Sequence, residues 1–213
     1  MTRWLILSSS SPSMHKVLLQ FRTNIAGARE LGRLGAAVSQ LTTSAVDVSD
    51  IFRAQIVLGV SALDHFIHEL TRVGMIETSS GRRLKTDAFL RFQIPLSAVE
   101  LGLAGHSHEG WLGEAIRERH SWLSFQHPDK VADAVRLFSP VQLWDAVGRE
   151  LASSSQDVKL RLGLVVDRRH KIAHEADMDP TNPGFRWPID KTMAAEALDF
   201  VSRVGEAIFK VTT

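Results

Sequence analysis

The sequence contains no cysteine and no tyrosine among its 213 residues. The absence of cysteine excludes disulfide frameworks, thiolate zinc sites and cysteine nucleophiles. An excess of charge of one sign is also lacking, because 25 Lys and Arg against 24 Asp and Glu leave a formal net charge of +1. The net charge therefore does not indicate a protein that coats nucleic acid. Binding of phosphate groups would require a local cluster of basic residues.

Long hydrophobic runs are missing as well. The apolar stretch from Trp4 to Leu7 ends at four serines, well short of the roughly 7 to 15 apolar residues of a secretion signal. The run from Ile56 to Leu63 is interrupted by glycine and serine and is far below the roughly 20 residues of a membrane span. We therefore expect a cytoplasmic protein that makes no use of a membrane.

Apolar residues recur at spacings of three and four along most of the chain, which predicts an all-α protein. We expect an N-terminal tail over 1–12 and one helical domain over 13–213. The predicted helices cover 13–40, a central apolar helix beginning at 47 or 49, 87–104 with a break at Pro95, 111–125, 128–138, 140–152, 156–176 and 190–211. The helix over 156–176 is expected to bury Leu160, Leu164, Val165, Ile172 and Ala173.

The segment richest in reactive side chains is VVDRRHKIAHEAD, residues 165–177, which holds three cations and two imidazoles. On a helix, His170 and His174 share a face because they are four residues apart. Arg169 lies about 100° from His170 around the axis, close enough for its long side chain to reach the same place. An arginine and two histidines on one part of a helix are suited to binding a phosphate group and transferring protons to or from it.

Arg169 and His174 reproduce the Arg-x4-His signature of HEPN ribonucleases, and RRHKIAHEAD resembles the RiboL-PSP-HEPN branch of that superfamily. Further similar segments are AQIVLGVSALDHFIHEL (54–70), FQHPDKVADAVRL (125–137) and PGFRWPID (183–190). The resemblance covers the chain from about residue 50 and implies a HEPN-type helical bundle with additional short helices. His170 departs from the asparagine common in the motif, and Ala176 stands where some HEPN toxins carry a modified tyrosine.

The resemblance implies an RNA endonuclease that acts as a toxin or antiviral defence effector. Such an enzyme cuts single-stranded or looped RNA and leaves a 2′,3′-cyclic phosphate, with no metal or cofactor. His174 suits the general base because an imidazole takes and returns protons near neutral pH. Arg169 suits stabilisation of the phosphorane charge, and His170 is the candidate second imidazole. The resemblance also implies a homodimer with a composite active site and an antitoxin or regulatory partner.

Further residues are assigned around these three. Contacts with the RNA are expected from four basic residues, Arg168, Lys171, Arg82 and Arg83. Four further residues are expected to position the catalytic side chains without touching the RNA: Asp64, His68, Glu175 and Asp177. For Asp64 and His68 the other interpretation is a buried aspartate bonded to histidine or to backbone, without a role in the site.

Three alternatives stay open. The motif could be an exposed basic helix face with Asp167 and Lys171 as a surface pair. The chain could be a noncatalytic HEPN module that binds RNA or a protein. Finally, His170 and His174 could bind a metal together with Glu175, although no HExxH pattern is present.

Overall fold

The computed structural model of the chain describes residues 13–43 and 46–213, so the predicted tail over 1–12 lies outside the described residues. The predicted all-α class is confirmed in the part described, where the only β-type pairing is one isolated bridge between Met178 and Arg186. The elements are α1 (Met14–Leu41), α2 (Ser49–Ser79), α3 (Asp87–Leu90), α4 (Leu96–Leu103), a π-helical turn (Glu109–Gly113), α5 (Glu114–His120), α6 (Pro128–Arg136), α7 (Leu143–Glu150), α8 (Ser155–His174) and α9 (Lys191–Thr212).

Local sequence signals explain where several helices begin. The side chains of Ser154 and Asp190 cap α8 and α9 by accepting hydrogen bonds from Asp157 N at 3.0 Å and Met193 N at 2.8 Å. Pro128 is the first residue of α6, as predicted. The same expectation for Pro140 was wrong, because α7 begins only at Leu143.

The centre of the bundle is α2, as its apolar sequence predicts, with α1 and α9 packed along it. Its completely buried side chains include Val60, Leu63, Ile67, Leu70 and Val73. The ring of Phe21 on α1 packs on Phe66 of α2 with 4.7 Å between centroids. A Cβ atom on Gly205 of α9 would overlap the Phe21 ring, so only glycine lets these helices approach so closely.

The buried side of α8 differs in part from the expectation, since only Val165 and Ile172 of the five named residues pack against the core. Leu160 and Leu164 are 62% and 60% exposed, and Ala173 is exposed too. The side that packs on α7 and α2 instead centres on Val158 and Leu162. Apolar residues occur on both sides of this helix, and the neighbouring helices cover only one of them. The other side, here called the outer face of α8, consists of Leu160, Leu164, Asp167, His170 and His174, all of them exposed.

Candidate functional site

The last two turns of α8 present two imidazoles to solvent. His170 and His174 are both exposed, and their ring centroids lie 4.6 Å apart with 47° between the ring planes. The spacing of four residues predicts this proximity, and α8 is helical through His174. Two imidazoles so placed can divide the roles of proton acceptor and proton donor on one substrate.

Arg169 precedes His170 on α8, about 100° from it around the helix axis, and is half-buried. Its Nε atom is shielded from solvent and has no hydrogen-bond partner, and the guanidinium takes part in no ion pair with any described residue. A guanidinium without a carboxylate partner keeps its positive charge and its paired N–H groups available for an anion. Arg169 therefore differs from its neighbour Arg168, which forms an ion pair within the protein.

The helix ends through a tight turn directly after His174. The backbone N–H groups of Glu175 and Asp177 both donate to the carbonyl of Lys171, at 2.9 and 3.0 Å. Ala176 and Asp177 adopt left-handed φ angles of 51° and 58°, which stops the helix two residues before the predicted end. Glu175 is exposed at this end. The turn thus fixes the direction in which the chain leaves the imidazole pair.

A buried charge cluster anchors that turn. The carboxylate of Asp177 is completely buried and accepts hydrogen bonds from Arg53 Nε at 2.7 Å and Arg168 Nη2 at 2.8 Å. Both arginines also donate to the carbonyl of Trp187, at 2.9 and 3.2 Å. The cluster therefore joins α2, α8 and the loop before α9, and it holds the C-terminal end of α8 in a fixed position.

This cluster changes the assignments made from the sequence. Arg168 was expected to bind substrate, but its Nη2 atom is engaged by Asp177 and by the carbonyls of Trp187 and Pro188. Asp177 contacts Arg168 of the motif, and its hydrogen bonds go to neither imidazole. Arg53 was missed, although an arginine inside the most apolar helix is a signal, because a buried guanidinium needs a buried carboxylate.

Lys171 stays beside the motif, half-buried, with its Nζ atom 5.4 Å from the centroid of the Trp187 ring. This cation–π contact orients the ammonium group along the loop before α9. A cleft of about 390 Å³ opens between α2 and the end of α8, and its lining includes Leu58, Ile172 and Arg186. The cleft gives this surface an apolar wall, with the ion pair of Arg186 and Asp50 at its edge.

Arg82 and Arg83 do not join this site within one chain. They follow the C-terminal end of α2, whereas Arg53 near the motif is in the first turns, roughly 40 Å away along the axis at 1.5 Å per residue. Arg83 donates from Nε to Glu77 at 2.7 Å and from Nη1 to the carbonyl of Thr212 at 2.6 Å, so it holds the end of α9. Arg82 is exposed.

Asp64 and His68 are also outside the site. Asp64 is roughly 16 Å from Arg53 along α2, and its carboxylate accepts from the backbone N–H of Phe125 at 2.6 Å and from the Gln126 amide at 3.0 Å. The ring of His68 packs on Phe125 with 4.4 Å between centroids. Both residues secure the connection between α5 and α6, which agrees with the purely structural interpretation.

A third histidine completes this packing. His120 is 4% exposed, and its ring meets the Phe125 ring at 5.2 Å and the Phe92 ring at 5.6 Å between centroids. Burial, aided by the positive charges of His68 and Arg119, lowers the pKa of His120 to about 4. The imidazole is therefore neutral at physiological pH and belongs to the core.

Within residues 13–43 and 46–213, no three His, Asp or Glu side chains are grouped so that they could hold a metal ion. No helix in this part of the chain is long and apolar enough to span a membrane. Comparison with models of protein families, with curated proteins and with solved structures found no match. The resemblance to HEPN ribonucleases therefore rests on the segments quoted above and on the chemistry of the motif.

Proposed function

We propose that the chain is a HEPN-type endoribonuclease that cuts single-stranded or looped RNA in the cytoplasm without a metal ion. The observation that carries the proposal is the exposed pair of imidazoles, 4.6 Å apart. Arg169 precedes His170 in the sequence, and its guanidinium has no carboxylate partner among the described residues. A basic helix face that served only for solubility would not require two exposed histidines in ring contact.

The proposed reaction is an internal transesterification. His174 takes the proton from the ribose 2′-OH, the 2′-oxygen attacks phosphorus, and the bond from phosphorus to the 5′-oxygen breaks. His170, or His174 of a second subunit, gives a proton to the leaving 5′-oxygen. The products are a 2′,3′-cyclic phosphate and a 5′-hydroxyl, so no water is consumed and no oxidant is needed. Arg169 stabilises the charge that builds on the phosphorane oxygens.

We place a second copy of the chain on the outer face of α8. Leu160 and His174 are 14 residues apart and therefore within about 40° of each other around the helix, and Leu160 and Leu164 are largely exposed there. A two-fold axis through this face would bury the leucines of both copies and bring the two imidazole pairs together. The homodimer supplies the composite site, and an effector of this kind is expected to need an antitoxin or regulatory partner.

The decisive experiment incubates the full-length chain with end-labelled single-stranded RNA in EDTA. We expect cleavage with a cyclic phosphate end, and at least a hundredfold slower cleavage by His174→Ala, since general acid–base catalysis contributes about 10²–10⁴ in rate. His65→Ala is the matched control, because His65 is exposed on α2 far from the motif. Light scattering on the same preparations gives the mass of the assembly.

The competing function is a noncatalytic HEPN module that uses the outer face of α8 to bind RNA or a protein. Its support is the pair of exposed leucines, which suits a contact surface whether or not catalysis occurs. Intact RNA with the unmodified chain, or equal cleavage by the chain and by His174→Ala, would reject the ribonuclease proposal. Cleavage lost on adding EDTA would instead indicate a metal enzyme.

A further inference from the structure

A second cleft lies between α3, the end of α5 and α6. Its volume is about 360 Å³, within the roughly 300–1,000 Å³ of small-molecule pockets. Arg169, His170 and His174 do not line it, so a ligand there is additional to the proposed active site. Its apolar wall consists of six side chains, two of them aromatic: Ala88, Phe92, Leu123, Phe125, Ala134 and Leu137.

The lining also contains a buried polar side chain without a partner. His120 is 4% exposed and lines the cleft, and its Nδ1 atom is shielded from solvent and has no hydrogen-bond partner. The rings of Phe92 and Phe125 meet this imidazole edge-on. A buried polar atom left without a partner costs free energy, and a ligand in the cleft would lie beside the imidazole that carries it.

The rim of the cleft is cationic. Arg119 is exposed and takes part in no ion pair in the part of the chain that the structure describes. Its positive charge contributes to the lowered pKa of His120, so it lies near the buried imidazole. Arg91, the second cation of the lining, has only a 3.7 Å contact with the carboxylate four residues before it. The one carboxylate of the lining, on Asp133, is paired with Arg136.

We infer that this cleft binds a small aromatic monocarboxylate, with its ring on the apolar wall and its carboxylate at Arg119. A guanidinium donates two parallel hydrogen bonds to a carboxylate and stays ionised. The rings of Phe92 and Phe125 favour an aromatic body, since rings pack on one another edge-to-face or offset. The imidazole of His120 supplies a further hydrogen-bonding group within the same cleft.

An NMR titration of the nitrogen-15-labelled full chain tests the inference, with benzoate, phenylpropionate and indoleacetate as probes. We expect at least one of these acids to bind at least tenfold more tightly than its own primary amide, which has the same shape without the charge. It should exceed acetate, which lacks the ring, by the same factor. The side-chain resonances of Arg119 and His120 should shift on binding, whereas those of His174 should not.

Two variants at exposed positions of the lining separate binding from folding. Arg119→Gln removes the rim charge and should weaken the best acid at least tenfold. Leu123→Glu places a carboxylate in the lining and should weaken it by a similar factor through repulsion. Arg203→Gln is the matched control, because Arg203 is exposed, lies outside the cleft and has no ion-pair partner among the described residues. Circular dichroism confirms that each variant is folded.

The inference is overturned if none of the three acids binds, if the amides or acetate bind as tightly as the acids, or if Arg119→Gln binds like the unmodified chain. Resonance shifts confined to residues outside the cleft would reject it as well. Because binding is measured without RNA, the result is independent of the proposed ribonuclease activity.

Discussion

Replacing Asp177 with asparagine tests the buried cluster that anchors the end of α8. Asparagine has nearly the same size and tolerates the left-handed φ of 58°, so the change removes mainly the negative charge between two guanidinium groups. Removing one partner of a buried ion pair costs about 3–5 kcal/mol. The Arg168 side chain is 22% exposed and can recover some hydration, so we expect the lower limit, about 3 kcal/mol.

Thermal and urea unfolding followed by circular dichroism measures this loss. For a chain of this length, about 3 kcal/mol corresponds to a fall in Tm of roughly 6 to 12 °C. Asp199→Asn is the matched control, because Asp199 also pairs with an arginine at 2.8 Å but on the exposed surface, where a pair contributes only about 0–1 kcal/mol. Equal losses for the two variants, or a loss below about 1 kcal/mol for Asp177→Asn, would refute the reasoning.

Two further predictions concern the core. The unfolded chain takes up a proton at His120 near pH 6.5, whereas the folded chain resists it until about pH 4, so the free energy of unfolding should fall by roughly 2–3 kcal/mol from pH 7 to 4.5. Urea unfolding at both pH values checks this, and His120→Phe should remove most of the fall; an unchanged pH dependence contradicts it. Gly205→Ala should cost about 1–3 kcal/mol because its methyl group overlaps a buried phenyl ring. Gly27→Ala, with nothing within 4 Å, should be neutral or stabilising by up to about 1 kcal/mol, and similar effects at the two glycines would count against the packing.

Much of the fold follows from local patterns. The spacing of apolar residues predicts both ends of α1, α8 and α9 and the start of α2 within about two residues, and Pro95 separates α3 from α4 as expected. These features depend on hydrogen bonds and caps within one helix, which the nearby sequence contains. The start of α7 was misplaced because proline is tolerated in a loop as well as in a first helical turn.

The imidazole pair of the candidate site was predictable for the same reason, since a spacing of four residues places two side chains together on any helix. The partners of the other motif residues were not. Arg168 and Arg169 are adjacent and chemically identical, yet one binds Asp177 and the other has no ion-pair partner in the described part of the chain. Arg168 shares the Asp177 carboxylate with Arg53, which is more than 100 residues away in sequence.

The amino-acid sequence by itself determined the helical class, the central place of α2 and the contact between His170 and His174, because each depends on a repeat or spacing inside one segment. Only the tertiary structure decided which side of α8 stays exposed and which arginine is used internally. These properties arise where distant segments pack together, and the burial of a side chain and its partners are set by its neighbours in space rather than by its neighbours in the chain.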